Sequence, residues 1–318
     1  MLSKRLSALA INKKVFVLIL KLAVSSFSFY LISRKADMAQ VVHILKSIGL
    51  LTFLTASALY ILSQVFSTLR WQLLLPDKYP LKRLFSLYMI GAFFSSFLPG
   101  VVGGDAVRAY YLNKDSRKIS ITLAAVFMDR YIGFVTLMVI GICAFPFSLT
   151  VFGDSPHKWL MPGFFVCFVI GSVLFFGLKL GKRFNLMTGI YDYFSVIKQQ
   201  RTVIVKTLLL SLVIQLLNFF AVLIIASRMG EEIPLLLLAV FLPIVITIVA
   251  LPISISGLGV REGTFVILLG LIQISPEAAT SLSLGWFLSN FVGSLPGLFF
   301  YFFHGQQNGA SQDGSSGR

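Results

Sequence analysis

The apolar residues of this chain fall into runs, and the length of those runs decides most of what it can become. They cover 15–33, 47–69, 84–98, 119–149, 160–178, 203–227, 235–251, 264–274 and 278–303. A helix needs about 20 apolar residues to cross the ~30 Å hydrocarbon core, and several of these runs meet that length. With 57% of 318 residues hydrophobic and 12% charged, no soluble interior is large enough to hide them. An all-α polytopic membrane protein is expected. The first run comes after Lys4, Arg5, Lys13 and Lys14. It is too long for a signal peptide and lacks a small-residue cleavage site, so it reads as an uncleaved first helix, with Lys21 snorkelling from near its cytoplasmic end. The longest hydrophilic stretch, 179–202, is far below the ~50 residues of a minimal domain. Residues 1–304 are therefore expected to form a single membrane domain, with a Gly-, Ser-, Gln- and Asn-rich tail over 305–318 whose composition predicts disorder.

The formal net charge of +15 invites a nucleic-acid reading, which the placement of the charges rejects. They sit in short loops between apolar runs, as the positive-inside rule produces, so no nucleic-acid partner is expected. Cys143 and Cys167 lie inside apolar runs and read as packing residues. His43, His157 and His304 are scattered without metal-ligand spacing, and neither a P-loop nor a dinucleotide fingerprint is present. No metal and no cofactor are expected.

Two apolar runs end in the same way. LPGVVGGDAVR begins at Leu98 and LPISISGLGVR at Leu251, 153 residues apart (98 to 251), and both fit Leu-Pro-x4-Gly-x2-Val-Arg. Proline and glycine break a helix at membrane depth, which is tolerated only where protein or a wet cavity satisfies the freed backbone. The run 84–98 is short for a crossing, and 105–113 covers only about 14 Å as helix. Residues 84–113 are therefore read as a re-entrant hairpin, and by parity 235–274 as a second one entered from the opposite face. Six full crossings remain: 15–33, 47–69, 119–149, 160–178, 203–227 and 278–303. Both termini are then cytoplasmic, with seventeen Lys and Arg on that side (Arg70 among them) against Arg34, Lys35, Lys46, Lys158 and Arg228 on the other. The alternative, eight full crossings, would move the six basic residues of 179–206 outside. The hairpins then look like the halves of an inverted repeat, a pointer to a transport site at the midplane.

Six ionisable residues besides Lys21 fall at that depth: Asp105, Arg108, Asp129, Arg130, Arg261 and Glu262. Each costs at least ~2.5–3.5 kcal/mol on insertion scales, so each needs a reason. Internal salt bridges are one. The other is a ligand: arginine's planar fork binds phosphate oxygens bidentately, and Gly103, Gly104, Gly257 and Gly259 let backbone amides approach an anion closely. These ten residues are the candidate substrate-binding set, expected to hold a lipid phosphate headgroup shared by Arg108 and Arg261 with Arg130 beside them. No catalytic residue is assigned. Gln215, Asn218 and Asn290 read as interhelical hydrogen bonders, and Ser254 and Ser256 as partners for backbone freed by Pro252. Tyr110 and Tyr111 suit an interface belt.

The motifs FLPGVVGGDAVRAYYL, DRYIGF and LPISISGLGVREG resemble the signatures of the flippase-like membrane family related to the lysylphosphatidylglycerol synthase transmembrane region. The resemblance runs from about residue 15 to 303. It implies a stand-alone member in a bacterial or archaeal inner membrane, without the soluble aminoacyl-transferase domain that bifunctional members carry after the membrane part. The function it implies is movement of an anionic phospholipid or polyprenyl-phosphate-linked headgroup across the membrane. Alternatives are a lipid-linked transferase, using Asp105, Asp129 or Glu262 as base, or an accessory subunit of a separate lipid-modifying enzyme.

Overall fold

A computed structural model describes residues 21–98, 102–116, 119–152, 156–178, 185–251, 253–254 and 256–303. Every regular element among them is helical. The order is α1 (21–35), α2 (Met38–Ser47), α3 (Leu50–Leu74), α4 (Leu81–Ser95), α5 (Val102–Ser116), α6 (Ile119–Phe152), α7 (Leu160–Ser172), α8 (Asn185–Gln199), α9 (Arg201–Arg228), α10 (Leu235–Ala250), α11 (Val260–Gly270) and α12 (Pro276–Ser294). A 3₁₀ turn precedes α7 and a π turn succeeds it, while helix resumes after Leu295 and carries the α12 segment to Phe303.

Five helices are long and apolar enough to cross a membrane: Leu50–Leu74, Ser120–Phe152, Pro156–Gly177, Arg201–Arg228 and Pro276–Phe303. They coincide with five of the six expected crossings. The sixth, 15–33, lies partly outside the described residues, as do the motif residues Pro99, Gly100 and Pro252 and the whole tail after His304. The molecule is an all-α polytopic membrane protein. Its outer surface carries large apolar side chains, including Phe147, Ile170, Leu209, Phe220 and Ile267, where a soluble protein carries charge. Cys143 and Cys167 lie on that surface as free thiols, which corrects their reading as packing residues. In lipid an apolar helix has no obligatory inside face.

The two short helix pairs are where the sequence puts its hairpins. At 1.5 Å per residue, α4 and α5 (15 residues each) and α10 and α11 (16 and 11) cannot span a ~30 Å core singly. Both pairs open after a proline in nearly identical conformation, Pro80 (φ −58°, ψ 133°) and Pro234 (φ −58°, ψ 135°). The correspondence extends beyond the hairpins. Shifted by about 153 residues, α2 falls on α8, α3 on α9, α4 on α10, α5 on α11 and α6 on α12. Packing obeys the same rule: α2 lies on α12 as α8 lies on α6, and α3 and α9 run along each other at the centre. The chain is a tandem of two like units.

Two elements escape hydropathy averaging. The hydrophilic stretches 34–46 and 179–202 hold α2 and α8, each apolar on one face only. Ile197 of α8 shares an apolar cluster with Leu74, Met128 and Ile132, and the helix lies against α6 and α9. Asp37 caps α2 by accepting from the Ala39 N–H at 2.8 Å, and its own N–H donates to Glu277 Oε1 at 3.1 Å, tying α2 to the start of α12.

The first hairpin closes through glycine. A Cβ on Gly104 would stand 2.0 Å from the Gly91 carbonyl oxygen, and one on Gly91 2.8 Å from the Gly104 oxygen. Backbone touches backbone there, so nothing flexible can yield. Gly104→Ala is expected to destabilise the purified protein by about 1–3 kcal/mol, the usual range for overpacking. Gly163→Ala, with nothing within 4 Å, should leave the melting temperature in detergent unchanged.

Candidate functional site

The buried charges gather around one carboxylate. Asp129 of α6 is fully buried and accepts from Arg70 Nε of α3 at 2.7 Å, Arg108 Nη2 of α5 at 3.0 Å and the Tyr88 hydroxyl of α4 at 3.1 Å. Arg70 also donates from Nη1 to Ser211 of α9 at 2.8 Å. Asp129 thus joins four helices directly and, through Arg70, a fifth. Its neighbour Arg130, about 100° round α6, forks onto Asp105 of α5 through Nε and Nη2 at 2.8 and 2.9 Å. Asp105 stands 3.1 Å from Arg108 Nε as well. The Arg108 guanidinium is otherwise clasped by aromatic rings, 4.8 Å from the Trp71 centroid and 4.5 Å from that of Tyr88. Three arginines against two aspartates leave this cluster one positive charge in excess.

Arg70 was not legible as part of it. Its place at the end of the run 47–69 assigns it to the cytoplasmic charges, whereas it is buried with Asp129. The signal lies in the next turn of the helix: Trp71, Leu73, Leu74 and Leu75 keep the segment apolar, so α3 continues and Arg70 falls inside it. Gly133, in the DRYIGF motif, makes room for it, since a Cβ there would stand 3.0 Å from Arg70 Nη1.

The second hairpin has its own smaller cluster. Arg261 and Glu262 share bonds of 2.6 and 3.0 Å, and both meet Ser283 of α12. Glu262 Oε2 accepts the Gly259 N–H at 2.6 Å, which caps α11, and Arg261 lies 4.4 Å from the centroid of the Phe287 ring. Shifted by 153 residues, Arg108 becomes Arg261 and Arg130 becomes Ser283. Each unit therefore docks the arginine of its hairpin onto the long helix next in the chain. Only the first unit keeps surplus charge.

The hairpins converge on a cavity of about 310 Å³. The first contributes Ala92 and Ser95, the second Ile246, Val249, Ala250 and Ser256, and Ser256 Oγ reaches the Ser95 carbonyl at 3.5 Å. Ser256 holds a positive φ of 51°, a strained setting for a serine in this contact. Helix α3 presents Tyr60, Ser63, Gln64, Ser67 and Arg70, a polar stripe at i, i+3, i+4 spacing. Sequence reading passed over that stripe because the run is apolar on average. Helix α6 adds Arg130 and Gly133, α9 adds Gln215 and Asn218, and α12 adds Trp286.

Of the expected site residues, Arg130 lines the cavity with 36% of its side chain exposed. Asp105, Arg108 and Asp129 stand behind it in the ion-pair cluster. Arg261 and Glu262 are held at the base of the second tip and do not meet Arg108 among the described residues. Gly103 packs on Leu98 and Gly104 on Gly91. Gly257 and Gly259 take φ of 76° and 81° in the second tip, where Gly259 abuts Ser25 and Ser28 of α1. Gln215 donates to the Gly133 carbonyl of α6 at 3.4 Å, an interhelical contact as expected. Asn218 bonds within its own helix, to Ile214, and Asn290 Oδ1 is buried without a partner among the described residues.

Apolar spanning helices around a polar cavity with buried ion pairs define an integral membrane protein with an internal polar cavity. The chain belongs to the lysylphosphatidylglycerol synthase TM region family, which it matches over residues 18–297, as the three motifs implied. It is similar to a UPF0104 membrane protein of Methanothermobacter thermautotrophicus, at 24% identity over 63% of this chain and 68% of the relative. No solved structure matches it.

Removing the central carboxylate tests the architecture. Asp129→Asn strips Arg70 and Arg108 of their shared counter-charge in a buried setting, which costs about 3–5 kcal/mol. The variant is expected to lose most of its folded yield in detergent, read by size-exclusion chromatography and thermal melting. A wild-type melting temperature would show that Asp129 holds nothing together.

Proposed function

We propose that this protein carries an anionic lipid headgroup between leaflets, with the cavity at the two hairpin tips as the binding site. The carrying observation is Arg130: its Nε and Nη2 are fixed by Asp105, while Nη1 has no partner among the described residues and the side chain opens into the cavity. A cation pre-oriented in this way binds a phosphate oxygen without first losing side-chain freedom. The single excess charge of the cluster suits one anion. In this reading Asp105, Asp129 and Arg108 fix Arg130 and Arg70, Arg261 and Glu262 fix the second tip, and Gly103, Gly104, Gly257 and Gly259 allow the backbone to close. Each carboxylate among them is already engaged by arginine, which favours transport over a transferase needing a free base.

Reconstitution into vesicles with a labelled anionic phospholipid tests the reading. Arg130→Lys keeps a charge for Asp105 but loses the fork. It is expected to fold normally and to slow leaflet transfer about tenfold, the loss of one charge-assisted hydrogen bond. Undiminished transfer in both Arg130→Lys and Arg130→Gln would overturn the site.

The orientation we assign is both termini in the cytoplasm of a bacterial plasma membrane, on the balance of basic residues. Thr202 is exposed at the start of α9. Thr202→Cys, in a Cys143→Ala, Cys167→Ala background, should react with an impermeant maleimide only in inside-out vesicles. Labelling from the outer face of intact cells would reverse the topology.

A further inference from the structure

The chemistry of the cavity wall narrows the headgroup, if the site is the transport site proposed above. We infer that it is built for a small anionic polyol headgroup, phosphoglycerol or a phosphosugar, and that it rejects headgroups bearing a free ammonium.

Charge is the first argument. Among the described lining residues are two arginines and no carboxylate. Asp105 and Asp129 stand behind the arginines with their oxygens taken. An ammonium desolvated beside Arg70 and Arg130 would meet repulsion and no counter-ion. Phosphate meets the reverse.

The second argument is the neutral lining. Asn218 spends one amide N–H on the Ile214 carbonyl, and Gln64 donates one to Ser63 at 3.2 Å, which leaves the Oδ1 and Oε1 acceptors for hydroxyl donors. Ser63 and Ser67 interleave with them on α3. Hydroxyls both donate and accept, so a polyol suits this mixture, whereas a bare phosphate leaves the acceptors unused.

An independent observation points the same way. Trp286 lines the cavity and is only 8% exposed, yet its indole N–H is buried without an acceptor among the described residues. Buried donors are rarely left open, and this one belongs to a side chain of the cavity wall. At about 310 Å³ the void is at the small end for a ligand site, a size that suits one such headgroup.

The full chain in non-ionic detergent is titrated with four dioleoyl or polyprenyl lipids: phosphatidylglycerol, phosphatidic acid, lysyl-phosphatidylglycerol and polyprenyl phosphoglucose. Phosphatidylglycerol or the phosphoglucose lipid is expected to bind at least tenfold more tightly than the lysyl ester, and several-fold more tightly than phosphatidic acid. Whichever of the two binds better identifies the polyol. Trp286→Phe and Asn218→Leu should each lower the affinity of the better polyol lipid about tenfold at unchanged melting temperature, and narrow its advantage over phosphatidic acid. Lysyl-phosphatidylglycerol binding as tightly as phosphatidylglycerol would overturn the inference while leaving a lipid transporter in place. Unchanged polyol affinity in both variants would overturn it as well. If none of the four lipids binds, the proposed function falls with it.

Discussion

A carboxylate without water is the constraint on which the rest of this structure depends. Asp129 sits where no solvent reaches it, in a chain whose surroundings are lipid, and must be neutralised by the protein itself. It is met by two arginines and a tyrosine arriving from three different helices. That requirement fixes the rotation of α3, the depth of the first hairpin and the face that α6 turns inward. Apolar packing between helices in lipid gives weak orientational preference, since lipid tails are as apolar as leucine. The ionic cluster supplies the specificity that packing lacks, because any sliding of one helix leaves a charge bare.

The same cluster explains why the two units of the repeat are alike in shape and unlike in chemistry. Arg108 and Arg261 occupy matching places and dock matching helices, but Arg261 is satisfied by its own neighbour Glu262 and by Ser283. The second unit is therefore self-contained. In the first, a further acid and two further arginines are spread over α3, α5 and α6, and both of those arginines reach the cavity wall.

Much of this was legible in the residues. Pro and Gly placed both hairpins, and run lengths placed five of the six expected crossings, because bilayer thickness leaves helices little latitude. Glu262 and Arg261 advertised themselves by being charged at depth. What stayed hidden has physical causes. The partner of Asp129 is 59 positions away at Arg70, a distance no local pattern reports. Arg70 itself is concealed when an apolar run is ended at the first charge, although the helix continues past it. The polar stripe from Tyr60 to Ser67, and the amphipathic α2 and α8, vanish in averages over whole segments. Their information is angular, carried by which face a residue occupies.

The uneven charge count has an electrical meaning. Arg70, Arg108 and Arg130 against Asp105 and Asp129 give the cavity one positive charge, and in the transport cycle proposed above a headgroup with one negative charge would bring the loaded cavity to zero. A membrane potential exerts about 2.3 kcal/mol per elementary charge per 100 mV on whatever charge crosses it. If the cluster shifts through the field during a cycle, the potential acts on the unloaded protein and is blind to the loaded one. Polarising the membrane would then alter how fast the vacant site resets, without changing the rate at which the lipid is carried across.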